Sequence, residues 1–282
     1  MYSAEISRSN PTSFVFLLDQ SGSMQDQIGS AEGQRGDGRR KCDVVADALN
    51  RLLSELAIKC AKEEGVRDYF HVAVLGYGDE VRTALGGPLS GRELVPLSEI
   101  AATPARIETR DKKIPDGAGG LVEQEVKFPV WVDPVANGGT PMSLALTRAQ
   151  SIVASWLAEH PGCFPPVVLN LTDGESTDGD PARPAEALRD LASSDGPVLL
   201  FNLHVSSDAS PAVTFPDEEA GLPNPYAKAL FSSSSVLPDG MRAYAQQQGM
   251  RVSGGTRGFV FNADATSIVQ FLDIGTRASD LR

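Results

Sequence analysis

The chain has 282 residues, 41% hydrophobic and 22% charged, enough for one large α/β domain with insertions or for two small domains. Its 25 basic residues face 37 acidic ones, a formal charge of −12, and a field of that sign argues against nucleic acid as a partner. No run of about 18 apolar residues occurs, so neither a membrane-spanning helix nor a membrane partner is expected. The polar opening MYSAEISRSNPTS lacks the apolar core of a signal peptide. Cys42, Cys60 and Cys163 stand singly, outside any CxxC or zinc spacing, and lead to the expectation of a reducing, cytoplasmic setting.

Strand and helix patterns alternate along the chain. They predict an α/β fold: a doubly wound, mostly parallel central sheet, helices on both faces and one short antiparallel edge strand. SFVFLLD (13–19) is nearly all apolar, as a strand buried on both faces must be. From Lys41 to Glu64 apolar residues recur at helical spacing up to Cys60. Asp47, Asn50, Arg51, Ser54, Glu55 and Lys59 fill the opposite face, which predicts a long amphipathic helix. YFHVAVLGYG (69–78) reads as the second strand, with 80–87 turning back beside it. A helix over 143–158, a strand in PVVLNLTDGE (166–175), a helix near 183–193 and a strand over 197–205 follow. Residues 206–237 carry Ser, Pro and Asp without periodicity. A helix near 238–249, a strand over 257–263 and a helix near 264–275 close a single domain over 1–282.

Two stretches exceed ordinary connection lengths. Residues 25–40 are glycine-rich and polar. Residues 86–137 hold prolines and an alternating segment, EQEVKFPVWV, expected to form a small hairpin that Pro129 confines to a sheet edge.

Chemistry concentrates where strands end. Asp19, Ser21 and Ser23 spell D-x-S-x-S at the carboxyl end of the first strand, a weak signal alone. NGGTPMS places Thr140 on a glycine turn ahead of a helix, with Pro141 where its missing N–H costs nothing. LTDGE places Asp173 at the carboxyl end of a later strand. In an open parallel sheet, ligands collect beyond the carboxyl ends of strands where strand order reverses. If the first strand and the 166–172 strand are neighbours there, Asp19, Ser21, Ser23, Thr140 and Asp173 converge. Such an all-oxygen set suits octahedral Mg²⁺ or Mn²⁺ and suits zinc poorly.

With these residues in place, the sequence resembles a von Willebrand factor type A domain carrying a metal-ion-dependent adhesion site, over roughly residues 13–275. The resemblance implies a Rossmann-like sheet and a Mg²⁺ (or Mn²⁺) cofactor. It implies Ser21 and Ser23 as direct ligands, Thr140 as a direct or switchable one, and Asp19 and Asp173 acting largely through bound water. The partner would be a protein supplying an Asp or Glu to the metal's open position. Thr140 lies further from Ser23 than family members place it, because of the two insertions, so partner choice does not transfer. The closest flavour is that of stand-alone bacterial cytosolic members, which points to a stress-response or defence system. An AAA+ ATPase, a kinase or a phosphatase from the same operon would then be the candidate partner.

Two functions from different classes stay open at this stage. One is a Mg²⁺-dependent interaction module. The alternative is a Mg²⁺-dependent hydrolase or phosphoryl-transfer enzyme using the same ion as Lewis acid. No G-x-S-x-G elbow, P-loop or D-x-D start supports the enzyme, and no catalytic residue is assigned. Glu175, Asp178 and Asp180 read as a solvated acidic loop, with a second cation as the sharper alternative. RGD at 35–37 reads as coincidence, His71, His160 and His204 as core or surface histidines, and the cysteines as buried hydrophobes. Phe128 and Trp131 are expected to pack on a sheet edge, or to face a partner.

Overall fold

Every residue of β1 (Thr12–Asp19) is buried. Phe14, Phe16 and Leu18 enter one apolar core and Val15 and Leu17 the other, which is why the segment reads as an unbroken apolar run. The computed structural model describes residues 1–29, 38–115, 121–207 and 211–277, so the RGD tripeptide and half of the glycine-rich insertion lie outside the described residues. That insertion has a closed neck: Ile28 N–H donates to Arg39 O at 3.0 Å and Lys41 N–H to Asp26 O at 2.9 Å.

Next comes α1 (Lys41–Lys59). It stops at Lys59 rather than at Glu64, because Cys60 ends the apolar stripe. Gly65, at φ +119°, then reverses the chain in a hairpin of β2 (Ala61–Lys62) and β3 (Gly65–Val66). Asn50 departs from the sequence reading: it is buried on α1, not on the polar face. β4 (Phe70–Tyr77), β5 (Val81–Thr83), β6 (Val95–Pro96) and α2 (Leu97–Ala102) follow.

The second insertion is larger than the expected hairpin. β7 (Arg106–Pro115) and β8 (Leu121–Val130) pair over their whole length as a ribbon of their own. Pro129 lies opposite Ile107 in this ribbon, not on an edge of the central sheet. Trp131 leaves the ribbon and enters the core, where its Nε1 donates to Ile100 O at 2.7 Å. Phe128 stays half-buried under the Arg110 guanidinium, 3.7 Å from the ring centre.

The chain continues through α3 (Met142–Glu159), β9 (Val167–Thr172), α4 (Ala182–Arg189) and the short pair β10 (Ala192–Ser193) and β11 (Gly196–Pro197). β12 (Leu199–Val205) and β13 (Val213–Thr214) come next. The stretch read as irregular then holds a helix, α5 (Pro225–Ser233). Asn224 caps it by accepting from Ala227 N–H at 2.8 Å, with Pro225 opening the first turn. α6 (Asp239–Gln247), β14 (Phe259–Ala263) and α7 (Ala265–Gly275) complete the fold.

The central sheet has the order β13-β14-β12-β9-β1-β4-β5, with β6 also on β4. β14, β12, β9, β1 and β4 run parallel. The expected antiparallel edge strand is β5; β6 and β13 are two more. Residues of α1, α2, α6 and α7 pack on one face, and those of α3, α4 and α5 on the other. From β1 the chain crosses to β4 on one flank, and from β9 it moves away on the opposite flank. Strand order therefore reverses between β1 and β9, the place where an open parallel sheet forms its crevice beyond the strands' carboxyl ends. No described helix is long and apolar enough to cross a membrane.

Candidate functional site

Asp19 is the last residue of β1 and only 2% exposed. Its Oδ1 accepts from Ser21 N–H at 2.8 Å, and its Oδ2 from Thr172 Oγ1 at 2.8 Å and Asp173 N–H at 3.3 Å. One carboxylate thus pins the turn after β1 to the end of β9. Burial pushes its pKa up to about 6, with the hydrogen bonds from Ser21 pulling the other way.

The turn after Asp19 tightens into a short 3₁₀ segment, Gly22–Gln25, which brings the two serine hydroxyls together. Ser21 Oγ and Ser23 Oγ are 3.1 Å apart. Asp173 Oδ1 accepts from Ser23 Oγ at 2.8 Å and from Ser21 Oγ at 3.4 Å. Three oxygens from two distant segments therefore form a small triangle at the floor of the crevice.

Thr140 arrives on a third segment, held by its backbone. Thr140 N–H donates to Thr177 Oγ1 at 2.9 Å, and Thr140 O accepts from Thr177 N–H at 2.9 Å. Gly138 O accepts from Gly22 N–H at 3.0 Å and Asn137 N–H donates to Gln20 O at 2.6 Å, so the Thr140 loop lies along the D-x-S-x-S turn. Gly138, at φ +78°, makes that approach possible: a Cβ there would come within 2.3 Å of Asp79 N. Thr140 is 5% exposed, and its Oγ1 has no hydrogen-bond partner among the described residues. The structure thus puts Asp19, Ser21, Ser23 and Asp173 in direct contact and Thr140 on the adjoining loop.

Sequence reasoning missed Lys41. It is the first residue of α1, its side chain is 6% exposed, and its Nζ donates to Asp173 Oδ2 at 2.9 Å. Ser23 O lies 3.4 Å from the same ammonium and Asp26 Oδ2 3.8 Å. A helix N-terminus carries a partial positive charge and disfavours a cation. A lysine as first helical residue was the available signal that a carboxylate had to sit opposite.

The acidic loop is exposed, as the solvated reading has it, and two of its carboxylates also cap helices. Asp178 accepts from Ser143 N–H at 3.0 Å and Leu144 N–H at 2.9 Å, capping α3, which has no side-chain cap of its own. Partial burial works against its ionisation, but the Ser176 hydroxyl and these N–H groups draw its pKa below the usual value. Asp180 accepts from Ala182 N–H at 2.9 Å at the start of α4.

His204 stacks on Phe261 with ring centres 4.3 Å apart, and its Nδ1 accepts from Asn262 N–H at 3.4 Å. Burial lowers its pKa to about 4, against the pull of the Asp173 charge. Below the crevice a buried polar chain crosses the sheet. Tyr77 OH donates to Asn170 Oδ1 at 2.8 Å, Asn170 Nδ2 to Asn202 Oδ1 at 3.0 Å, and Asn202 Nδ2 to Ser234 Oγ at 3.0 Å. Beside the site a groove of about 310 Å³ runs between α3, α4 and α5, lined by Met142, Leu146, Ala185, Tyr226 and Leu230, with Glu175 at its edge. The cysteines are buried free thiols. Among the described residues no three His, Cys, Asp or Glu side chains gather as a metal cluster, so a cation here would depend on hydroxyl oxygens.

No protein-family model and no curated protein matches the sequence. Among solved structures, the chain is similar to the vWF domain of the type V pili tip protein Mfa5 from Porphyromonas gingivalis. Identity is 15% and the TM-score 0.32, over 59% of this chain and 39% of that one. It is also similar to the PilB minor pilin from Streptococcus sanguinis, at 11% identity and a TM-score of 0.48, over 94% of this chain and 60% of that one. For the pilus adhesin RrgA from Streptococcus pneumoniae the values are 16% and 0.31, over 60% and 21%. The chain thus spans less than two thirds of the length of each of these proteins.

Proposed function

We propose that the chain is a Mg²⁺-dependent protein–protein interaction module. On this reading Ser21, Ser23 and Thr140 hold the cation, Asp19 and Asp173 orient them and balance its charge, and a partner protein supplies an Asp or Glu. Residence in the bacterial cytoplasm belongs to the same proposal, within a stress-response or defence assembly whose other members include an AAA+ ATPase, a kinase or a phosphatase.

The observation that carries the reading is the triangle of Ser21 Oγ, Ser23 Oγ and Asp173 Oδ1, with sides of 3.1, 3.4 and 2.8 Å. Neighbouring ligands on an octahedron of radius about 2.1 Å lie about 3.0 Å apart, a spacing that the two serine hydroxyls at 3.1 Å fit, with Asp173 Oδ1 beside them for a contact through bound water. Thr140, whose backbone holds its loop along the same turn, would add a fourth oxygen on this reading. Bound there, the ion would supply an oxygen-seeking positive centre. Neutral hydroxyls in direct contact leave the ion itself a strong acceptor for an incoming carboxylate, which carboxylates bound directly to it would not. Asp19 has both oxygens committed to protein donors, which fits a role in holding the turn.

The test uses manganese. Crystals soaked in Mn²⁺ should show an anomalous peak against Ser21 and Ser23, and the Ser21→Ala/Ser23→Ala protein should lose it while keeping its circular-dichroism spectrum. A soaked crystal without that peak overturns the reading. Turnover of a phosphate ester by the wild type that vanishes in Asp19→Asn would replace it with the enzyme.

A further inference from the structure

Lys41 belongs to no expected ligand set, yet it is the most deeply placed cation of the crevice. Its ammonium grips Asp173 Oδ2 at 2.9 Å, while Asp173 Oδ1 receives the two serine hydroxyls. The Asp173 side chain is fully buried and that of Lys41 is 6% exposed, so water screens this pair little. Asp26, also within 3.8 Å, is 65% exposed and contributes weakly.

Placing Lys41 there is costly in two ways. A primary ammonium loses hydration on burial, and it sits at the end of α1 where the helix field is already positive. The arrangement offsets both costs with the one carboxylate that also borders the oxygen triangle.

We infer that Lys41 is a built-in counter-cation that sets how the site responds to a divalent ion and to an acid. The inference rests on the cation-binding reading above. Asp19 and Asp173 bring two negative charges and Lys41 one positive. A divalent ion added to the carboxylates alone would leave the site neutral; with Lys41 present it leaves a net positive charge. Lys41 therefore weakens the grip on the ion when no partner is bound. It also leaves a charge that an incoming carboxylate neutralises, so ion and acid bind cooperatively, each strengthening the other by the same factor. A charge-free side chain at this position would give a site that holds its ion tightly and gains little from an acid. Lys41 is on this account a positioning residue, acting through Asp173 and through the field.

The experiment titrates Mn²⁺ alone, by electron paramagnetic resonance at pH 7.5, into wild type, Lys41→Met and Lys41→Arg. Lys41→Met should bind Mn²⁺ at least about tenfold more tightly, while Lys41→Arg, which keeps the charge, should stay within about threefold of wild type. Repeating the titration in sodium acetate, against sodium chloride at equal ionic strength, should tighten Mn²⁺ binding in wild type and much less in Lys41→Met. Far-UV circular-dichroism melts report folding. If Lys41→Met does not fold, Lys41→Gln, whose amide still donates to Asp173, takes its place. Equal Mn²⁺ affinity in wild type and the neutral variant, or an equal acetate effect, overturns the role of Lys41 while leaving the cation site standing. No Mn²⁺ binding by any folded protein removes the site itself and the inference with it.

Discussion

The crevice beyond β1 and the β7–β8 ribbon are both rich in charge, and they use it in opposite ways. In the crevice, Lys41 and Asp173 meet at 2.9 Å with side chains 6% and 0% exposed. At the base of the ribbon, Arg106 bridges Glu108 at 2.8 Å and Asp133 at 2.6 Å, and Arg110 bridges Asp47 at 2.9 Å. Every partner there is between 24% and 55% exposed. Geometry alone would rank the two regions as equals. Hydration separates them: a buried charge that loses its partner has no water to replace it, whereas an exposed one is re-solvated at once. Contact distance is thus a poor guide to what a charge does in this protein, and burial is a good one.

The comparison breaks first at Asp173. Asp173→Ala leaves the Lys41 ammonium buried at the positive end of α1 with only Ser23 O and the exposed Asp26 nearby. A loss of about 3–5 kcal/mol is expected. Urea unfolding in EDTA measures it without any contribution from bound cation. A loss under about 1 kcal/mol would show that the crevice admits water and that the contrast with the ribbon is false.

What the sequence disclosed follows the same division. The five parallel strands and most of the helices were legible because burial on one or both sheet faces forces apolar periodicity. Asp19, Ser21, Ser23, Thr140 and Asp173 were legible because strand ends and a glycine turn locate them. Lys41 was hidden: a lysine at the end of an RRK run looks solvated until the fold brings Asp173 to it. β7 was hidden for the opposite reason, since RIETRDKKIP is mostly polar and its pairing with β8 is a backbone matter. Asn50 hid on the expected polar face of α1 although it is 2% exposed. α5 carried a usable signal in Asn224-Pro225, masked by the serines and prolines around it.

Asn50 sharpens the contrast, because it extends buried polar chemistry to the root of the exposed ribbon. Its Oδ1 accepts from Trp131 N–H at 2.8 Å and Val132 N–H at 3.0 Å, and its Nδ2 donates to Val132 O at 2.8 Å. Asn50→Ala strands three buried backbone groups, and a loss of about 2–3 kcal/mol is expected by urea unfolding. Hydrogen exchange should show faster exchange at Trp131 and Val132 while β1 stays protected. Uniform loosening of β1 as well would mean the ribbon is no separate unit.

A smaller effect, in pH, probes the crevice through His204. Its folded pKa of about 4 lies below the ordinary 6.5. Between those values only the unfolded chain takes the proton, so its contribution is present above pH 6.5 and is lost as pH falls towards 4. Asp19 acts with the opposite sign, since its folded pKa of about 6 lies above 3.8: its contribution is full below pH 3.8 and is lost as pH rises through 6. In wild type the two slopes oppose one another. His204→Phe keeps the stack on Phe261 and removes one of them. Measured in EDTA, wild type should lose about 1–2 kcal/mol more than His204→Phe between pH 6.5 and pH 4. Parallel curves would mean that His204 is hydrated in the folded protein.

The smallest effect is expected where the charges are most conspicuous. Arg106 reaches Glu108 and Asp133 together, yet its side chain is 45% exposed and those of its partners are 31% and 55%. Arg106→Ala returns both carboxylates to water, and the expected loss is about 0.5 kcal/mol, vanishing in high salt. Double-mutant cycles of Arg106 with Asp133 at low and high ionic strength measure the coupling directly. A salt-insensitive coupling above about 1.5 kcal/mol would show that the ribbon's charges are shielded from solvent. Their density would then mark a second organised surface, and the division between crevice and ribbon would fall.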